Sequence, residues 1–117
     1  MFRPGGISYL RIPAPDPGAS AAFYRAVFGW QVDDDRREPR FADATGHVIG
    51  HLVADRPGAG DAGVIPYVYV ESLDQTLRKV PGAGGRISTP AYPEGDLRVA
   101  TVVDPAGNVI GVWQHVG

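Results

Sequence analysis

An eight-residue stretch that occurs twice constrains this chain more than any other feature. Asp43-Ala44-Thr45-Gly46-His47-Val48-Ile49-Gly50 returns as Asp104-Pro105-Ala106-Gly107-Asn108-Val109-Ile110-Gly111, with five identities in eight. The copies begin 61 residues apart in a chain of 117, close to half its length. Each copy has the chemistry of a tight turn that enters a strand. The Asp side chain can accept bonds from backbone amides just ahead of it, and Gly tolerates positive φ at the bend. Val-Ile then opens a β-branched run. A long fixed period points to duplicated supersecondary units. Two unrelated hairpins with common turn chemistry would look the same locally, so the flanking elements decide between these readings.

The flanking elements recur in order. Ile7-Ser8-Tyr9-Leu10-Arg11-Ile12 reads as a strand, and Asp16 then caps a helix with Pro17 at its first position, where a missing amide costs nothing. Ala19, Ala22, Phe23, Ala26 and Val27 repeat at helical spacing, and Gly29 is placed to end the helix. Trp30-Gln31-Val32 reads as a strand that fades into the charged run Asp33 to Glu38, a solvated loop or hairpin tip. Phe41-Ala42-Asp43 and Val48 to Val53 complete a hairpin. Ala54 to Gly63, rich in Pro and Gly, is the linker. The order then restarts with Val64 to Val70. Ser72-Leu73-Asp74-Gln75 has capping-box spacing before a helix with Leu73, Leu77 and Val80 inward. Arg86-Ile87-Ser88 is a strand, Thr89 to Asp96 an irregular loop, and Val99 to Val103 with Val109 to Trp113 the last hairpin. The expectation is one α+β domain over residues 1–117, built of two βαβββ modules near 5–54 and 64–116, with helices near 17–28 and 73–80.

Composition limits the function. With 11 basic and 13 acidic residues the net charge is −2, and no basic stripe suggests a nucleic acid or an anionic membrane as partner. Cysteine is absent, which removes disulfides, thiolate zinc sites and cysteine nucleophiles. No apolar run is long enough to cross a bilayer, and the start Met1-Phe2-Arg3-Pro4 lacks a signal-peptide core, so a soluble cytoplasmic protein is expected.

With both modules in view, the chain resembles the vicinal oxygen chelate superfamily of glyoxalases, extradiol dioxygenases and bleomycin-resistance proteins. The matching motifs are Ile12-Pro13-Ala14-Pro15-Asp16, Ser20-Ala21-Ala22-Phe23-Tyr24, Val27-Phe28-Gly29-Trp30 and Asp104 to Trp113. The resemblance implies a curled mixed sheet around a cavity, commonly in a homodimer, with chemistry at a divalent metal. It also implies metal ligands on the first and last strand of each module. Those positions fall on Ile7 or Tyr9, on Ile65 or Tyr67, and on Gly50 and Gly111. None can supply the imidazole or carboxylate that such an ion requires. No metal or other cofactor is therefore expected.

Strand alternation then sorts the remaining side chains. Ser8, Leu10 and Ile12 suit the helix side, which leaves Tyr9 and Arg11 towards the cavity. Val68, Val70, Ile110 and Val112 suit the helix side in the second module, which leaves Tyr67, Tyr69, Gly111 and Trp113. By the same phase Gly50 faces the cavity and His51 faces away, while Trp30 borders the hollow. A hollow with glycine floors and aromatic walls favours a flat or partly apolar small molecule. Packing of the same aromatics at a dimer interface is the alternative. His47, His51 and His115 show no ligand spacing, and Ser20, Ser72 and Ser88 lack a nucleophile-elbow context. Tyr92, Glu94 and Asp96 are placed either as a lid with an acid or base or as solvated turn residues.

Three functions follow. The first is a metal-independent, homodimeric domain that binds a small organic ligand for sequestration or sensing. The second is an enzyme of the same fold, lyase or dioxygenase-like, with a non-standard site. The third is a pairing module whose cavity is filled by aromatics.

Overall fold

A computed structural model describes residues 3–33, 37–60 and 62–116. The first module contains β1 (Tyr9–Pro13), α1 (Pro17–Phe28), β2 (Gln31–Asp33), β3 (Arg40–Ala42) and β4 (Ile49–Val53). The second contains β5 (Tyr67–Tyr69), α2 (Leu73–Lys79), a 3-10 turn (Pro81–Ala83), β6 (Arg86–Glu94), β7 (Leu97–Val103) and β8 (Val109–His115). Both are βαβββ units, as the repeated order of elements implied. Each forms its own four-stranded mixed sheet, ordered β1-β4-β3-β2 and β5-β8-β7-β6, with the first and last strands parallel. The two sheets do not close on each other within the chain.

Both helices start where side-chain chemistry dictates. Asp16 accepts from the Ala19 amide at 3.2 Å, and Ser72 accepts from the Gln75 amide at 3.2 Å. The Leu73 amide, a further orphan donor of the second helix, is taken by Gln114 Oε1 on β8 at 2.7 Å. Gly29, at φ 71°, ends α1 in the left-handed region.

The inward face of α1 differs from the alanine pattern. Ser20, Ala21, Phe23, Tyr24 and Val27 are buried, whereas Ala22 and Ala26 are exposed. The large rings set the rotation. Tyr24 stacks on Trp30 (4.6 Å, 12°), and Trp30 stacks on Phe41 (5.0 Å, 13°). Burying three aromatic rings outweighs burying two methyl groups by several kcal/mol. The run Thr89 to Asp96 also departs from the loop expectation. Thr89 to Glu94 continue β6, paired to β7 through two register shifts. Pro90 and Pro93 are tolerated there because β6 is an edge strand. Of the charged run after Trp30, Asp33 closes β2, and Asp34 to Arg36 lie outside the described residues.

The modules are tied by a buried polar joint. Asp104, 3% exposed, accepts from Tyr24 Oη at 2.7 Å and from Asn108 Nδ2 at 2.9 Å. Asn108 Nδ2 also donates to the Pro13 carbonyl at 2.7 Å. Its Oδ1 accepts from the Ala59 amide, so the linker is held down too. Gly58 in that linker lies so close to the 105–107 turn that a Cβ would sit 1.9 Å from the Ala106 oxygen.

Candidate functional site

The duplicated turns keep their chemistry. Asp43 Oδ1 accepts from the Thr45 amide, and Asp104 Oδ1 from the Ala106 amide. Gly46 and Gly107 take positive φ at the same step. The turns differ in length, however. The Asp43 amide bonds to the Val48 carbonyl, whereas the Asp104 amide bonds to that of Asn108, one residue sooner. The first turn thus holds one residue more, and β4 emerges one step out of phase with β8.

That step reverses the sequence-based assignment of Gly50 and His51. Gly50 pairs with Leu10 and Phe41, and paired residues share a sheet face, here the helix side. A Cβ on Gly50 would lie 1.9 Å from the Leu10 oxygen and 2.7 Å from the Phe41 ring. His51 instead faces outward, paired with Arg11 on β1 and Arg40 on β3. Its counterpart in the second module is Gly111, paired with Tyr67 and Thr101. The phase is fixed by burial, because Leu52 and Phe41 are enclosed only when His51 points out. The apolar Leu52 beside the polar His51 was the available sequence signal. The extra turn residue was not visible in an ungapped repeat.

In the second module the alternation holds. Tyr67, Tyr69, Gly111 and Trp113 share the outer face of β5 and β8. The Tyr67 ring lies over Gly111, where an added Cβ would meet it at 2.2 Å. Tyr69 and Trp113 pack with centroids 4.8 Å apart, and both tyrosines are about half exposed. Tyr9 and Arg11 are likewise on the outer face of β1, and Tyr9 Oη is hydrogen-bonded to His51 Nδ1.

These residues do not gather in one hollow. Trp30, Tyr67 and Tyr69 line a cleft of about 840 Å³ between the modules, together with the end of α1, the 43–45 turn and the start of α2. Tyr9, Gly50 and His51 border a second hollow of about 480 Å³ on the first sheet, with Arg40 and Asp33. Arg11 lines a third, smaller one beside Pro66 and Asn108. Trp30 is enclosed in the aromatic stack, with little of its surface open to the cleft. Tyr92 and Glu94 stand on β6 and Asp96 in the turn after it.

The donor set at the outer positions does not fit a divalent ion. The last strands place His51 and Gly111 there, so the second module offers no side-chain donor, and among the described residues no three His, Cys, Asp or Glu side chains converge. The one perturbed phenol of the interior is Tyr24. Burial, and then the Asp104 carboxylate beside it, push its pKa well above the ordinary tyrosine value. Among the described residues no helix is long and apolar enough to cross a membrane.

Two βαβββ modules, each with a mixed sheet open on one face, define a class of α+β domain that matches known proteins. The model of the Glyoxalase/Bleomycin resistance protein/Dioxygenase superfamily matches residues 6–112, and the chain belongs to that superfamily. It is 30% identical over 129 aligned positions to "Putative glyoxylase CFP32" of Mycobacterium bovis, covering 99% of this chain and 49% of that protein. It is 32% identical over 132 positions to the anthracycline biosynthesis protein DnrV of Streptomyces peucetius, covering 97% of this chain and 48% of the relative. The chain therefore spans about half the length of these curated relatives. Among solved structures it is similar to TnmS3, an antibiotic binding protein from Streptomyces sp. CB03234. That match has a TM-score of 0.74 and 21% identity, over 95% of this chain and 96% of the other.

Proposed function

We propose that this chain binds a small organic molecule against its aromatic sheet faces without a metal ion, as a homodimer, for sequestration or sensing. The observation that carries the reading is the outer face of the second sheet. Tyr67 over Gly111 and Tyr69 against Trp113 present three rings to open space, where a monomeric enclosed core would have hidden them. Rings of this kind bind flat, partly apolar molecules through stacking and area burial. Named relatives that bind an antibiotic or serve anthracycline biosynthesis support the same class of ligand. The homodimer is supported by the exposure of Tyr67 and Tyr69 at about half of their surface, which a second copy would cover.

A second reading is an enzyme of the same fold with a non-standard site. It is favoured by the Tyr9–His51 hydrogen bond on an open face, which has the form of an acid–base pair. A thermal-shift screen of planar organic molecules tests the first reading, since binding to the native state alone raises its apparent stability. Hits should quench tryptophan fluorescence. Trp113→Ala should then weaken them by roughly tenfold, the loss of about one stacked ring, and Arg78→Ala on the exposed face of α2 should not. Equal loss from both variants removes the assignment. Turnover of a hit, lost in His51→Gln, would establish the second reading.

A further inference from the structure

We infer that the hollow on the first sheet is a carboxylate-binding site in which His51 and Arg40 hold the anion and Tyr9 orients the imidazole. The inference rests on the reading that the open faces bind a small organic molecule, and it names the polar end of that molecule. The longer first turn puts His51, rather than a glycine, on the outer face. On its rung of the sheet stand Arg11 on one side and Arg40 on the other. Three cationic or donor side chains thus share one strip. Beyond Arg40, on β2, is Asp33. Asp33 also borders the hollow and is not free, whereas among the described residues neither Arg11 nor Arg40 has an ion pair.

Unpaired guanidiniums beside an imidazole suit a planar anion, because the Arg fork matches a carboxylate with two parallel N–H bonds. Tyr9 Oη is bonded to Nδ1, and in the tautomer in which Tyr9 donates, the imidazole proton sits on Nε2 and is free to donate to a ligand. Arg40, His51 and Tyr9 line a hollow of about 480 Å³ whose other walls include Ile49 and Ala42. That volume holds a single aromatic ring, with the apolar walls against the ring and the cationic strip against its carboxylate. Arg11 flanks His51 on the edge strand and lines the neighbouring hollow.

The test is an NMR titration of the isotope-labelled full chain with benzoate, benzamide and inorganic phosphate at fixed ionic strength. Benzoate is expected to move the His51 imidazole signals with saturation, and the other two are not. Arg40→Gln and His51→Gln should each weaken benzoate roughly tenfold, the loss of about one charge-assisted bond. Arg78→Gln on the exposed face of α2 should leave it unchanged. Tyr9→Phe should keep the fold, weaken benzoate less than His51→Gln does, and shift the imidazole nitrogen signals of the free protein. Benzamide or phosphate binding as well as benzoate, or an Arg40→Gln variant with full affinity, overturns the inference. Neutral aromatics that quench Trp113 while benzoate spares His51 would also overturn it and leave the aromatic-face reading standing. If no probe binds anywhere, both fall.

Discussion

The phenol of Tyr24 donates into a carboxylate that is almost wholly enclosed, so neither partner has water to fall back on. Tyr24→Phe keeps the ring stack but leaves Asp104 Oδ2 with Asn108 alone, and should lower unfolding stability by about 1–3 kcal/mol in denaturant melts. The same bond gives a pH dependence of definite sign. Folded Tyr24 holds its proton above the ordinary tyrosine value, so the folded state binds more protons than the unfolded one in that range. The contribution is complete below about pH 10 and fades as pH rises from there through the folded pKa. The loss should be smaller in Tyr24→Phe. Two glycines offer a second contrast. Gly50→Ala must push against the Leu10 backbone, which cannot yield, and should cost about 1–3 kcal/mol. Gly111→Ala meets the Tyr67 ring first, and that half-exposed ring can give way where the Leu10 backbone cannot. This substitution should leave the melting midpoint nearly unchanged while disturbing any ligand stacked there. Equal destabilisation by the two would place Gly50 back on the outer face.

At the scale of elements, each strand and helix followed from local chemistry wherever one face was plainly apolar. The caps at Asp16 and Ser72 and both hairpins were legible for that reason. In β5 and β8 the alternation of Val68, Ile110 and Val112 with Tyr67, Gly111 and Trp113 also fixed which side chains point outward. Three features were not legible. The rotation of α1 depended on rings contributed by Trp30 and Phe41, which lie outside the helix. The extension of β6 past two prolines required β7 as a template. The face of His51 depended on a turn longer by one residue than its copy, and an even-period strand turns one residue of slip into a change of side. The two turns should also differ in what their aspartates contribute. Asp43 is partly exposed and bonds within its own turn. Asp43→Ala should cost about 0.5–1 kcal/mol. Asp104 accepts from two backbone amides and two side chains, and its removal leaves Tyr24 without an acceptor. Asp104→Ala should cost about 3 kcal/mol or more by the same measure.

Across the whole molecule, two sheets each keep one face covered by a helix and present the other to open space. Tyr67 and Tyr69 on the second sheet are 49% and 55% exposed, and on the first sheet Tyr9 is 45% exposed with its neighbour Ile49 at 36%. Exposed aromatic clusters of this kind mark binding surfaces, because leaving them in water forgoes the burial that stabilises association. On the function proposed above, a second copy of the chain covers these faces. A stable pair needs roughly 1,200–2,000 Å² of total buried surface. Sedimentation equilibrium should therefore give twice the chain mass at micromolar concentration. The melting midpoint should rise with protein concentration, as it must when folding and association are linked. Tyr67→Asp, which sets a charge on the outer face while sparing the helix-side core, should shift the population towards the single chain. A single-chain mass at all concentrations, with a midpoint independent of dilution, would show that these rings face ligand or solvent alone.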